Sequence, residues 1–333
     1  MEYGISDYSS EYGSCPGRQR DPEQEKRTAR QIRRCFSRVG LIYLLYLILS
    51  NGCQLVVGYA LVWTGLAAGM NMNLYMLITT FSMYPAAVPL TALLMRLVPS
   101  MGDTGKESWG IGKLAGFFVF SLGVLYLGNL TGMALMGLAG LVKGEPIVNG
   151  MQELMMSLES WTILLAAVLT APVMEELVFR KFLLDRIAGY GHWTAMIVSG
   201  LIFAMAHGNF YQFFYAFGLG MIFAYVYLHT GKIRYTIGFH MLINFMGSIV
   251  PMAIIELEKV NPMAGRLLLT GNLMMMFGYV ICGGVLLICC HRELSFHPGY
   301  TEISAGRKNR AVWLNMGMIL FLLSGGALLA LSL

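Results

Sequence analysis

The sequence predicts an all-α polytopic transmembrane helix bundle of about eight to nine spans with a cytoplasmic N-terminus. Three observations predict it. Hydrophobic residues make up 56% of the 333 and charged ones only 12%, with a mean hydropathy of +0.62, outside the range of a water-soluble globule. Apolar runs long enough to cross a hydrocarbon core recur along the chain. Lys and Arg are dense in alternate connecting segments, the pattern of a protein oriented in a bilayer.

Taken in order, residues 1–38 read as a polar and then basic cytoplasmic tail with too few apolar residues for a core. It is expected to be disordered and to turn helical only near Arg30. Its cluster Arg27, Arg30, Arg33, Arg34 and Arg38 suits an anionic membrane surface. Residues 39–333 form the transmembrane domain, with candidate spans at 39–64, 74–98, 114–142, 161–184, 194–207, 213–229, 236–255, 267–290 and 312–333. With the N-terminus inside, only Lys143, Lys259 and Arg266 of the 23 basic residues fall in outer segments, so the other 20 set the orientation. A multi-pass protein of a cell membrane follows, expected to be the bacterial plasma membrane.

Several features carry no chemistry. The pairs Gly112/Gly116 and Gly128/Gly132 read as helix-packing faces. The 25 methionines lack metal-ligand spacing and read as gap-filling or lipid-facing side chains. The six cysteines form no C-x-x-C pair, so neither a disulfide framework nor a zinc module is indicated. The expected partners are membrane lipids and a peptide or membrane-protein substrate, not nucleic acid, since no basic face is interleaved with exposed aromatics. Nothing in the sequence speaks to oligomeric state.

The chemistry lies in charges placed inside apolar runs. Each charged side chain at mid-bilayer disfavours a helix by roughly 2.5 to 3.5 kcal/mol, so Glu175, Glu176 and Arg180 in APVMEELVFR need partners or water. Glu176 and Arg180 stand at i and i+4 in the better orientation for an ion pair, and Glu175 is turned away from both. FAMAHG sets Phe203 and His207 one turn apart, and IGFHMLINF does the same for His240 and Asn244. Each stretch alone has an ordinary account as a salt bridge, a packed histidine or interhelical glue. Together they supply a carboxylate base, two imidazoles and an un-ionisable amide donor, a set suited to attack of water on a carbonyl. No G-x-S-x-G or Cys/His signature supports a covalent nucleophile.

The motifs EE-x-x-x-R at Glu175–Arg180, F-x-x-x-H at Phe203–His207 and H-x-x-x-N at His240–Asn244 resemble, in order and spacing, those of the CPBP intramembrane proteases. That family includes type II CAAX prenyl endopeptidases and bacteriocin-processing or bacteriocin-immunity proteins. The turn LHTGKIRYTI, residues 228–237, is also similar, and the likeness covers 161–255. It implies an intramembrane endopeptidase acting on a prenylated, leader or membrane-associated peptide near the cytoplasmic leaflet. Glu175 would activate water with His207, His240 and Asn244 would bind the oxyanion or hold the water, and Glu176 with Arg180 would be the supporting pair.

Members are described both as metalloendopeptidases and as metal-independent glutamate enzymes. Zinc is possible on Glu175, His207 and His240 with Glu176 as the spare base. Yet no H-E-x-x-H is present and Asn is a poor zinc ligand, which favours a mechanism that requires no cofactor. The alternatives are a non-enzymatic immunity or adaptor protein of the same fold, and an ion carrier relaying protons through Glu175 and the histidines. Helix rise poses one difficulty. Glu175 and His240 fall roughly 7 to 8 Å inside the cytoplasmic boundary, whereas His207 falls about 20 Å in if its helix starts at Thr194. A helix starting above the membrane plane would reconcile them.

Overall fold

A computed structural model describes residues 21–333 apart from Asp103. The described residues form helices and connecting loops, and the first 20 residues of the expected tail lie outside them. Asp21 caps the first helix by accepting a hydrogen bond from the Glu23 amide, and Pro22 opens it. This helix, α1 (Pro22–Trp63), holds 42 residues, a rise of ~63 Å against a hydrocarbon core of about 30 Å. Its basic first third therefore stands outside the membrane. It is also packed, contrary to the expectation of a disordered tail as far as Arg30. Ile32, Cys35, Phe36 and Val39 form a buried stripe at helical spacing, and Glu25 accepts from the Ser304 amide and pairs with Arg307. The partner that orders this segment lies nearly 280 residues away along the chain, so local composition could not reveal it.

The next span, α2 (Met72–Arg96), is broken after Ser82, where Pro85 starts a second helical piece, and Pro89 lies within that piece. Then follow α3 (Ile111–Lys143), the short α4 (Gly150–Met156), the motif helix α5 (Ser160–Tyr190), α6 (His192–Ala206), α7 (Phe210–Thr230), α8 (Ile233–Val260) and α9 (Pro262–Glu293). The last span is α10 (Ala305–Trp313) and α11 (Met316–Leu331), bent by 61° at their junction. Among the described residues seven helices are long and apolar enough to cross a membrane, and an eighth is counted if the bent pair is one span. The run expected at 194–207 is α6, at 15 residues too short to be counted with them.

Burial orders these helices from the centre outward. The apolar window of α7 is 67% buried and that of α9 only 6%, which puts α7 at the bundle axis and α9 against lipid. Glycines allow the axial contacts. A Cβ on Gly220 of α7 would meet Gly200 of α6 at 2.7 Å, and those on Gly128 and Gly132 of α3 would meet the backbone of Tyr215 and of Phe210–Tyr211. Gly128/Gly132 is thus a packing face as expected. Gly112/Gly116 has open space before it and is not one within this chain.

The basic connections lie together in one layer. Met101 donates to the Arg186 carbonyl, Gly105 to that of Leu228, His192 to that of His297 and Tyr300 to that of Gly189, while Ser304 reaches Glu25. At the opposite end Tyr211 reaches the Ile147 carbonyl, Phe210 reaches Ser332 and Lys143 reaches Leu333. The segments that charge counting assigns to one side of a membrane are therefore bonded to one another.

Candidate active site

Three helices bring the polar residues together beside α7. α5 carries Glu175 and Glu176 between two π-helical segments, Leu164–Thr170 and Leu177–Phe182, and Arg180 within the second. Asn244 of α8 directly precedes a third, Phe245–Ile249. Such widened turns disturb the regular backbone ladder and recur at functional sites.

The adjacent carboxylates have different surroundings. Glu176 is fully buried, with Oε2 3.2 Å from Arg180 Nε and Oε1 3.1 Å from His240 Nδ1. The Thr236 hydroxyl lies alongside it while donating to the Ile233 carbonyl. Arg180 has no well-aligned hydrogen bond from any of its nitrogens. Its charge rests on Glu176 and on two ring faces, with Cζ 4.5 Å from the Phe203 centroid and 5.5 Å from that of Phe223. Glu175 remains 21% exposed and reaches to 3.7 Å from His240 Nε2.

The histidine tautomers follow from their partners. Nδ1 of His240 faces the Glu176 carboxylate, so Nδ1 carries the proton and, in the neutral ring, Nε2 presents a lone pair toward Glu175. Nδ1 of His207 lies 2.8 Å from the Phe203 carbonyl, which likewise leaves Nε2 bare. Phe203 spaces the two imidazoles, its ring centroid 4.7 Å from that of His207 and 5.7 Å from that of His240. His207 lies within electrostatic range of Glu175 and of His240. Asn244 donates one Nδ2 hydrogen to the Ala167 carbonyl at 2.8 Å, which ties α8 to the first π segment and leaves its second N–H.

All six residues singled out from the sequence are thus in one cluster. The depth difficulty for His207 also resolves. α5 continues to Tyr190 rather than ending at Leu184, and Gly191, with φ of 101°, reverses the chain into α6. Gly191 lies midway in sequence between Glu175 and His207, so the two arms of this hairpin return His207 to the level of Glu175. Trp193, stacked on Phe296 at 4.5 Å, sits in the layer of basic loops.

Sequence reasoning missed the walls of the site. Tyr46, Tyr84 and Tyr215, from α1, α2 and α7, lie within electrostatic range of Glu175. Phe223 of α7 faces both Arg180 and His240. Thr236 was legible, since it extends the polar stripe of His240 and Asn244 by one more turn. Aromatic residues in apolar runs give no such signal.

The metal reading does not gain the donor geometry it needs. Among the described residues no three His, Cys, Asp or Glu side chains are placed to hold a metal ion, so the set Glu175, His207 and His240 is not assembled as ligands.

Residues 157–246 match the family described as type II CAAX prenyl endopeptidase Rce1-like. This segment contains all three motifs. Neither a curated protein nor a solved structure matches the chain.

Proposed function

We propose that this multi-pass membrane protein is an intramembrane endopeptidase of the CAAX-protease type, hydrolysing a peptide bond of a membrane-associated substrate by glutamate-activated water. The match at residues 157–246 supports the peptidase class. The observation that carries the mechanism is the 3.7 Å separation of Glu175 Oε2 and His240 Nε2. Both atoms are hydrogen-bond acceptors when the imidazole is neutral, and the gap exceeds a direct hydrogen bond. A water donating to both satisfies them and keeps its lone pair for attack.

Glu175 takes a proton as the water oxygen bonds to the scissile carbonyl carbon. The tetrahedral oxyanion is met by the remaining N–H of Asn244, and Glu175 returns the proton to the amine as the C–N bond breaks. His207, within electrostatic range of Glu175, steadies the proton during transfer. Glu176 and Arg180 act one layer back, holding His240 in the tautomer that faces the water. The charge asymmetry sets the loop layer on the cytoplasmic side, so the substrate is drawn from the cytoplasmic leaflet in this reading.

The test is turnover of a membrane-peptide library by purified protein, read by mass spectrometry with and without chelator. Glu175→Gln is expected to abolish cleavage while leaving the protein inserted and monodisperse. Asn244→Ala should lower kcat by roughly 100-fold or more, the usual effect of removing an oxyanion donor. Cleavage by the Gln variant at the parental rate would remove the base from this scheme. An immunity or adaptor protein of the same fold predicts no products from any variant and partner binding insensitive to His207→Ala.

A further inference from the structure

A second polar site lies in the layer of basic loops, further along α5 than Glu175 and Glu176. Here α5, the loop residues Ser100, Gly102, Thr104, Gly105 and Lys106 and the α7–α8 turn line an open cavity of about 560 Å³, a size that admits a small molecule. Four cations line it: Lys106, Lys181, Arg186 and Lys232. The one described carboxylate in its wall, Asp185, is already engaged, by Lys181 Nζ at 2.6 Å and by the Tyr227 hydroxyl at 2.7 Å. Among the described residues no carboxylate pairs with Lys106, Arg186 or Lys232. Lys232 Nζ reaches the Ser108 hydroxyl at 3.2 Å and lies over the Tyr235 ring, 5.5 Å from its centroid, neither of them an anion.

The second observation gives the ligand its shape. The cavity shares Lys181, Asp185 and Arg186 with a smaller slot of about 200 Å³, whose other walls include Ala92, Met95 and Phe182, with Arg96 at its side. A densely charged anion fits the first compartment and an apolar continuation fits the second. Arg186 is half-buried, and its planar fork matches phosphate oxygens in pairs, which a simple counter-ion would not require.

We propose that this paired cavity binds a phosphate ester. Two sources share that chemistry, the headgroup of an anionic phospholipid and a soluble phosphate monoester. The site lies further along α5 than the catalytic cluster, and none of its four cations belongs to the hydrolytic scheme, so the proposal stands whether or not the protein is a peptidase.

The test titrates purified full-length protein in detergent with phosphatidylglycerol or phosphatidylcholine and counts bound lipid by native mass spectrometry, with glycerol 3-phosphate as soluble competitor. Retention of phosphatidylglycerol roughly tenfold above phosphatidylcholine is expected, given the added attraction of each nearby Lys or Arg for an anionic lipid. The preference should vanish in Arg186→Gln/Lys232→Gln and persist in Arg186→Lys/Lys232→Arg. It should also persist in Lys113→Gln, which removes a cation from the same face outside the cavity. Displacement of the lipid by millimolar glycerol 3-phosphate identifies a soluble ligand, and resistance to it identifies the membrane. Equal retention of the two lipids without any binding of glycerol 3-phosphate overturns the site. So does a preference that survives loss of both cations.

Discussion

A helix turns neighbouring residues about 100° apart, which is why Glu175 keeps a partly exposed carboxylate while that of Glu176 is sealed against Arg180 and His240. The sealed carboxylate is structural chemistry. Its loss, or that of Arg180, leaves an uncompensated charge in the bundle, a change that typically costs about 3 to 5 kcal/mol. Arg180→Gln is therefore expected to lower the thermal unfolding midpoint in detergent markedly, and Arg180→Lys to recover only part of it. A compact ammonium does not spread over the Phe203 and Phe223 faces as a planar guanidinium does. An unfolding midpoint unchanged in Arg180→Gln would show that this pair does not hold the core. Which of the two adjacent acids pairs with Arg180 was legible from i, i+4 spacing. That Glu176 also orients His240 was not, because it depends on how α8 crosses α5.

At the scale of elements, the α5–α6 hairpin fixes the register of the site. Gly191 holds a left-handed φ of 101° and lies against the Pro298 carbonyl, leaving no place for a Cβ. A side chain there combines backbone strain of about 1 to 3 kcal/mol with displacement of the covering loop. Gly191→Ala is expected to leave α7 and α8 packed but to shift His207 against Glu175. Peptide turnover should fall at least tenfold while the protein still inserts and Glu176 and Arg180 stay buried. Parental turnover in this variant would mean that the hairpin does not set the register. The sequence placed His207 on its helix face and left its depth to a helix start above the membrane plane, because the apolar run stops where Asp185 and Arg186 enter it. The helix continues because those residues face the loop layer, where Asp185 meets Lys181 and Tyr227.

At the scale of the whole molecule, the layer of basic loops behaves as a lid on the bundle, and it contains its own titratable cluster. His192 at the start of α6 lies 4.9 Å from the His229 ring and 6.0 Å from that of His297. Burial, reinforced by His229 and His297 and opposed by Glu107, holds its pKa down to about 4. An unfolded chain protonates this histidine near its ordinary value of about 6.5, so between those values the unfolded state binds more protons. Stability contributed here rises with pH from about 4 to about 6.5 and is complete above that window. Acidification from pH 7 to pH 5 should thus lower the unfolding midpoint, and His192→Gln should flatten the dependence. An equally steep profile in the variant would assign it to other groups.

Composition and periodicity by themselves determined that this chain is a helical membrane bundle, which side its basic segments share, and which turns carry polar and charged residues inside apolar runs. These are properties of helices in lipid, where each uncompensated charge in an apolar run is costly enough to be noticed one residue at a time. Only the tertiary structure decided that His240 stands between both carboxylates, that the first helix is ordered by a segment from the far end of the chain, and that a cation-lined cavity opens beside α5. Those facts depend on how separate helices cross, and a crossing is set by small residues and distant partners that no local pattern encodes.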